Sequence, residues 1–101
     1  MNLFNFLTRQ MRWSKETFGP TPRTEGILKH IEKEIEEVRQ HPTDLEEWCD
    51  IVILALDGAW RAGHTPHAIC QALVAKQDKN RLRTYIRTPD DVPSEHVREA
   101  R

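Results

Sequence analysis

Long apolar runs and an excess of one charge sign are both missing from this 101-residue sequence. Nowhere do about 18 consecutive apolar residues occur, so no membrane-spanning helix is predicted. The beginning, MNLFNFLTRQMRW, lacks the small-residue cleavage site of a signal peptide. Fifteen Lys and Arg balance sixteen Asp and Glu, which disfavours a protein that coats a polyanion. We therefore expect a soluble, cytosolic protein that binds neither membrane nor nucleic acid.

Cysteine and the common catalytic motifs are also scarce. Cys49 and Cys70 are the two cysteines; they lie in apolar helical patterns without metal-ligand spacing, which predicts free, buried thiols in a reducing compartment. The sequence contains no CxxC, HExxH or GxSxG motif and no Walker-type glycine loop, which disfavours zinc sites, serine hydrolases and P-loop enzymes. A single domain of this size buries little apolar surface, so oligomerisation would stabilise it.

Apolar residues recur at helical spacing along most of the chain, and we predict an all-α fold. Gly19-Pro20, Pro42 and Gly63 mark the breaks between helices. The third helix carries the run from Ile51 to Leu56, which is apolar on all sides and predicts a central helix, buried by neighbours or by a second subunit. The predicted helices are Asn2 to Phe18, Thr24 to Gln40, a capping box at Thr43 and Glu46 leading to Ala62, and a fourth that opens at Thr65-Pro66.

Two pairs of acidic residues on neighbouring helices are the most informative feature. Glu34 and Glu37 lie three apart on the second helix, and Glu47 and Asp50 lie three apart on the third, so each pair can direct two carboxylates to one side. If the two helices pack antiparallel, four carboxylates converge. Such a cluster of hard oxygen donors predicts a divalent cation, Mg²⁺ in the first place.

Position on the helices separates these acids from the others. A helical-wheel count places Glu34 and Glu37 beside the apolar stripe of the second helix and Glu32 and Glu36 on the opposite, solvated flank. The alternative is that all of them form an ordinary charged surface with nearby lysines and arginines.

The third helix contains a further acid, Asp57, that has a base of its own. Asp57 can pair with Arg61 at i,i+4, whereas Glu47 and Asp50 have no equivalent base nearby. The unpaired acids are therefore the better candidates for metal ligands.

Further candidates depend on spacing alone. Lys76, Asn80 and Arg83 follow one another at i, i+4 and i+7, a stripe that could hold phosphate oxygens but that, from spacing alone, is more typical of a solvated basic helix end. His30 and His41 border the acidic flank and could contact the site, although lone histidines at such positions are more often ordinary surface or boundary residues. From Thr88 the chain is poor in apolar residues and predicts a tail, with a last helical turn after Ser94.

These residues resemble the signature of the MazG-type all-α NTP pyrophosphohydrolases, EExxE followed by ExxD. The second part stands intact as Glu47-Trp48-Cys49-Asp50, and the first reads Lys33-Glu34-Ile35-Glu36-Glu37, with Lys33 in place of the opening Glu. The stretches that carry a closer resemblance to the phage-type dATP/dGTP diphosphohydrolase branch of this group fall within residues 13–87 and are TFGPTPR, HIEKEIEEV, DLEEWCDIVILALDGAWRAG and KQDKN.

The resemblance implies a four-helix bundle over residues 1–88, completed as a homodimer or homotetramer, with residues 89–101 as a flexible charged tail. It also implies Mg²⁺-dependent hydrolysis of a (deoxy)nucleoside triphosphate to the monophosphate and pyrophosphate in a bacterial or phage-infected cytosol, with Mn²⁺ as a substitute ion. The implied residues are Glu34, Glu37, Glu47 and Asp50 as metal ligands and catalytic groups; Lys76 and Asn80, joined by Arg81 or Arg83, for the phosphates; and Trp13, Ser14 and Phe18 near the base.

Two rival functions come from other classes. Lys33, in place of an acid, favours a bundle that has lost turnover and acts as an interaction module. The segment from Arg81 to Arg87 suggests a helix-turn-helix DNA binder, but that function needs an exposed basic recognition helix, and the predicted central helix is apolar all round.

Overall fold

Residues 1–97 are described by the computed structural model of the chain, and they contain four α-helices and no named strand. The all-α prediction is confirmed. The helices are α1 (Leu3–Phe18), α2 (Thr24–Gln40), α3 (Leu45–Arg61) and α4 (Pro66–Leu82). None of them is both long enough and apolar enough to cross a bilayer, among the residues that the structure describes.

The helix ends follow local capping chemistry. Asn2 caps α1 by accepting a hydrogen bond from the Asn5 backbone N–H at 2.8 Å, and Gly19 ends the helix at φ +85°, a backbone conformation that glycine adopts without strain. The Thr65 hydroxyl accepts from the Ala68 backbone N–H at 3.1 Å. This contact confirms the predicted start of α4.

The predicted capping box of α3 is wrong by one residue. Asp44, and not Thr43, is the N-cap, and its carboxylate accepts from the Glu46 backbone N–H at 3.0 Å. A carboxylate is at least as good an N-cap as a threonine hydroxyl, and its negative charge interacts favourably with the positive end of the helix dipole. The helix ends at Arg61, with Ala62 as the C-cap.

Within the compact unit Met1–Cys70, both α1 and α2 pack against α3. The core cluster joins Leu7 of α1, Leu56 and Trp60 of α3, and Ile69 from the first turns of α4. The prediction of a central helix therefore holds for the C-terminal half of α3.

The N-terminal half of α3 is not covered by neighbouring helices among the described residues. Trp48 is 50% exposed and Val52 is 55% exposed, and cover by a second subunit, the other form of the prediction, stays a prediction. Both cysteines are free, as predicted. Cys49 lies on the same uncovered part of α3 and is exposed, so its predicted burial is wrong, and Cys70 is half-buried.

The second compact unit, Gln71–Arg101, holds the rest of α4 and the segment that follows it. Tyr85 and His96 form an isolated antiparallel bridge, and the Ser94 hydroxyl donates to the Ile86 carbonyl at 2.6 Å. The structure describes the predicted tail as far as residue 97, and these two contacts show that this part of the chain folds back on itself. The helical turn expected after Ser94 falls partly on residues 98–101, which lie outside the described residues.

Candidate active site

Carboxylates from α2 and α3 meet at one point. Glu34, Glu47 and Asp50 each offer an oxygen, and these three oxygens lie within 4.8 Å of one another. The two helices run antiparallel, since a Cβ added to Gly58 near the end of α3 would lie 3.7 Å from the Ile27 side chain near the start of α2. The predicted convergence of the two acidic pairs is therefore observed for three of the four residues.

Glu37 lies beside this triplet without joining it. Loss of hydration raises the pKa of Glu47 above its usual range, and the nearby carboxylates of Glu37, Asp44, Glu34 and Asp50 raise this pKa further. Glu34 and Glu37 are half-buried while Glu32 and Glu36 are exposed, which confirms the division made by the helical wheel.

The donor set of the triplet fits a divalent cation. Three carboxylate oxygens at this separation are hard ligands of the kind that Mg²⁺ and Mn²⁺ accept. A cation bound among them would offset the two effects that raise the pKa of Glu47, which are desolvation in the first place and the neighbouring carboxylates in the second. His30 Nε2 lies 3.3 Å from Glu34 Oε1. This histidine is exposed, as its position predicts, and it also contacts one acid of the triplet.

A cavity of about 470 Å³ extends from these acids between α1, α2 and α3. Glu34 and Asp50 line one end of it. Asp57, seven residues further along α3, lines the other, and the two ends are about 10 Å apart along the helix axis. The middle of the α3 wall is apolar and consists of Ile53 and Leu54.

The far end of the cavity is aromatic. Trp13 and Phe18 of α1 line it with their ring centroids 5.6 Å apart in an edge-to-face arrangement. Arg23 lies over the Phe18 ring at 5.3 Å and donates a hydrogen bond to the Phe18 carbonyl at 3.2 Å. Both candidates for base contact therefore share a cavity with two of the acids.

Ser14, the third candidate for base contact, lines the cavity but belongs to a buried network. Its hydroxyl donates to Asp57 Oδ1 at 2.6 Å, and Trp60 Nε1 donates to the same oxygen at 2.9 Å. Arg61 Nε donates to Asp57 Oδ2 at 2.8 Å, which confirms the predicted pair. We call the four residues Ser14, Asp57, Trp60 and Arg61 the brace.

The brace also holds the connection between α1 and α2. Arg61 NH1 donates to the carbonyls of Gly19 and Thr21 at 2.7 and 2.8 Å, and its side chain is only 1% exposed. The guanidinium thereby satisfies backbone acceptors at the end of α1. Spacing within α3 predicted the ion pair, but no local pattern links Ser14 or Gly19 to residues more than 40 positions away.

The predicted phosphate-binding residues all belong to the second unit. Lys76 and Asn80 lie on α4 and Arg83 follows its last residue, with the Arg83 backbone N–H donating to the Asn80 carbonyl at 3.2 Å. Lys76 is exposed, and Asn80 and Arg83 are half-buried. Their role toward the acidic cluster stays a prediction.

Comparison with known proteins supports one family. The family model for dATP/dGTP pyrophosphohydrolase matches residues 6–101, which is nearly the whole chain. No curated protein and no solved structure matches it.

Proposed function

Because this chain belongs to the dATP/dGTP pyrophosphohydrolase family, we propose that it hydrolyses dATP and dGTP to the monophosphate and pyrophosphate, and that it requires Mg²⁺. The observation that carries this proposal is the continuity of one cavity from Glu34 and Asp50 to Trp13 and Phe18. An acidic end suits a cation and phosphates, an aromatic end suits a base, and the volume is in the range of small-ligand sites.

In this proposal Glu34, Glu47 and Asp50 hold the ion, and Glu37 is the fourth acid of the site. A triphosphate and a carboxylate cluster repel each other strongly at short range. When bound, the cation supplies positive charge that offsets the triphosphate and stabilises the charge that develops on the transferred phosphoryl group. The proton of the attacking water passes to a carboxylate of the cluster, which acts as general base.

The purine lies at the aromatic end. Trp13 is half exposed and presents a face on which a planar base can stack, and Ile27 adds an apolar surface from α2. Stacking of this kind does not depend on which purine is bound. The brace fixes Ser14 and, through Arg61, the backbone at Gly19 next to Phe18. This wall of the cavity is therefore already formed before the substrate binds.

Two further features belong to the proposal, the polar residues of the second unit and the uncovered apolar residues of α3. Lys76, Asn80 and Arg83 supply hydrogen-bond donors to the phosphates of the substrate.

The uncovered apolar residues Trp48 and Val52 on α3 are of the kind that a second copy of the chain covers. We propose a homodimer or homotetramer that works in the cytosol.

Release of pyrophosphate from dATP and dGTP, measured with Mg²⁺ and again with excess EDTA, tests the proposal. We expect release with Mg²⁺ only, and slower release from dCTP and dTTP, whose smaller rings stack less on Trp13. If no triphosphate releases pyrophosphate while Mg²⁺ still binds, the chain is an inactive interaction module on this scaffold, the function that Lys33 favours. Lys33 is exposed, and the carboxylates that meet belong to Glu34, Glu47 and Asp50, so a lysine at position 33 leaves these three ligands in place.

A further inference from the structure

One cavity that accepts both adenine and guanine faces a chemical problem at the 6-position of the ring. Adenine carries an amino group there, which donates a hydrogen bond, and guanine carries an oxo group, which accepts one. A side chain that only donates or only accepts would favour one purine. A neutral amide can do either, because rotation by 180° exchanges its carbonyl oxygen and its NH₂ group.

Within the part of the chain that the structure describes, Gln10 is the one side-chain amide that lines the cavity, and it lies on the wall where we place the base. It precedes Trp13 by three residues and Ser14 by four on α1, so the three side chains are neighbours on one side of the helix. A base stacked on Trp13 is therefore within reach of the Gln10 side chain. Gln10 is half-buried, so its amide is shielded from bulk water without being sealed off.

The other polar groups at this end already have partners. Ser14 and Asp57 bond to each other and to the rest of the brace, and Arg23 donates to the Phe18 carbonyl. His30 faces Glu34 at the acidic end. Among the described residues, by contrast, Gln10 has no side-chain hydrogen bond.

We propose that Gln10 is a specificity-determining residue that hydrogen-bonds to the 6-substituent of the purine, with its Oε1 accepting from the amino group of dATP or its Nε2 donating to the oxo group of dGTP. This assignment rests on the proposed function, since it takes the base to lie at the aromatic end. It explains how a single cavity serves both substrates without moving its backbone.

The test compares substrates with and without the 6-substituent in the wild-type enzyme and in Gln10→Met, which keeps the length of the side chain and removes its polar atoms. The first pair is dATP with the triphosphate of 2′-deoxyribosylpurine, which differ at the 6-position alone. The second is dGTP with the triphosphate of 2-aminopurine deoxyriboside, which lacks the 6-oxo group and with it the hydrogen on N1. In the wild type we expect each natural substrate to have a kcat/KM about 3- to 10-fold above its analogue, the usual effect of one neutral hydrogen bond. In Gln10→Met both ratios should fall to about 1.

Gln71→Met, at an exposed position on α4, is the matched control and should leave both ratios at their wild-type values. Gln10→Ala provides a second variant with the same expected ratios if the methionine disturbs folding, which a thermal melt reports. Wild-type ratios that persist in the Gln10 variants overturn the assignment while leaving the pyrophosphohydrolase proposal intact. Wild-type enzyme that releases no pyrophosphate from dATP or dGTP overturns the proposed function itself, and the assignment with it.

Discussion

The two halves of α3 hold carboxylates in opposite electrostatic settings. Near the start of the helix, Glu47 and Asp50 meet Glu34 of α2, and no Lys or Arg among residues 1–97 is bonded to them. Two turns later, Asp57 is buried with every oxygen bonded to the brace. An acid with a complete set of hydrogen-bond donors stabilises the fold. Acids that lie close together repel one another and destabilise the folded protein, and a bound cation can offset this repulsion.

The largest effect on activity should come from the crowded acids. Asp50→Asn is expected to lower Mg²⁺-dependent pyrophosphate release from dATP by more than about 100-fold, with the helical circular dichroism spectrum unchanged. Glu32→Gln, on the exposed flank of α2, is the control and should stay within about twofold of wild type. Full activity in Asp50→Asn would remove this residue from the metal site.

The largest effect on stability should come from the brace. Asp57→Ala leaves the buried Arg61 guanidinium without its carboxylate, and we expect a loss of about 3–5 kcal/mol in the free energy of unfolding, measured in urea. Glu36→Ala removes the partner of Arg39 in an exposed ion pair of α2 and should cost less than about 1 kcal/mol. Similar losses of unfolding free energy in the two variants would mean that burial of the brace adds nothing to the stability of the fold.

Trp13→Ala should affect substrate binding more than either chemistry or folding. Loss of one stacking partner predicts a rise in KM for dATP of about 10-fold or more, and kcat should change little because Trp13 is not one of the residues whose carboxylates meet. Steady-state kinetics separates the two constants. A fall in kcat at constant KM would place the base elsewhere.

Glu47→Gln sharpens the contrast between function and stability. Since the folded-state pKa of Glu47 is raised, its stabilising contribution is present at low pH, where it is protonated, and is lost as the pH rises through that pKa. We therefore expect Glu47→Gln to raise the Tm of the metal-free protein at neutral pH and to abolish hydrolysis. The gain in Tm should shrink as the pH is lowered toward 4, and a gain that is independent of pH would contradict the crowding of these acids.

The smallest effect is expected at Lys76. Lys76→Ala should raise the apparent KM for dATP several-fold and leave the Tm within about 2 °C of wild type, since this exposed side chain packs against little. An unchanged KM would count against its contact with phosphate.

Local spacing allowed much of this molecule to be predicted. The bounds of α2, the burial of Glu34 and Glu37 relative to Glu32, and the ion pair between Asp57 and Arg61 all depend on neighbours three or four residues away on one helix. The cap of α3 was misplaced because Thr43 and Asp44 are both good N-caps and the pattern alone does not choose between them.

The contacts that α1 and the segment after it make with the rest of the molecule could not be predicted from the sequence. The bond from Ser14 to Asp57, the position of Arg23 over Phe18 and the entry of Gln10 into the cavity depend on how α1 packs against its neighbours. The exposure of Cys49 could not be predicted either, because it also depends on which surfaces pack together. The apolar pattern around it predicts burial, but a pattern does not say whether the covering surface comes from the same chain.

The most direct test of the central claim is a calorimetric titration of Mg²⁺ into the wild-type protein and into Asp50→Asn. If Glu34, Glu47 and Asp50 share a cation, the wild type should bind Mg²⁺ with a measurable heat and the variant should bind it at least about 10-fold more weakly. Equal affinity in the two proteins would show that the ion binds elsewhere, and would contradict the account of this site.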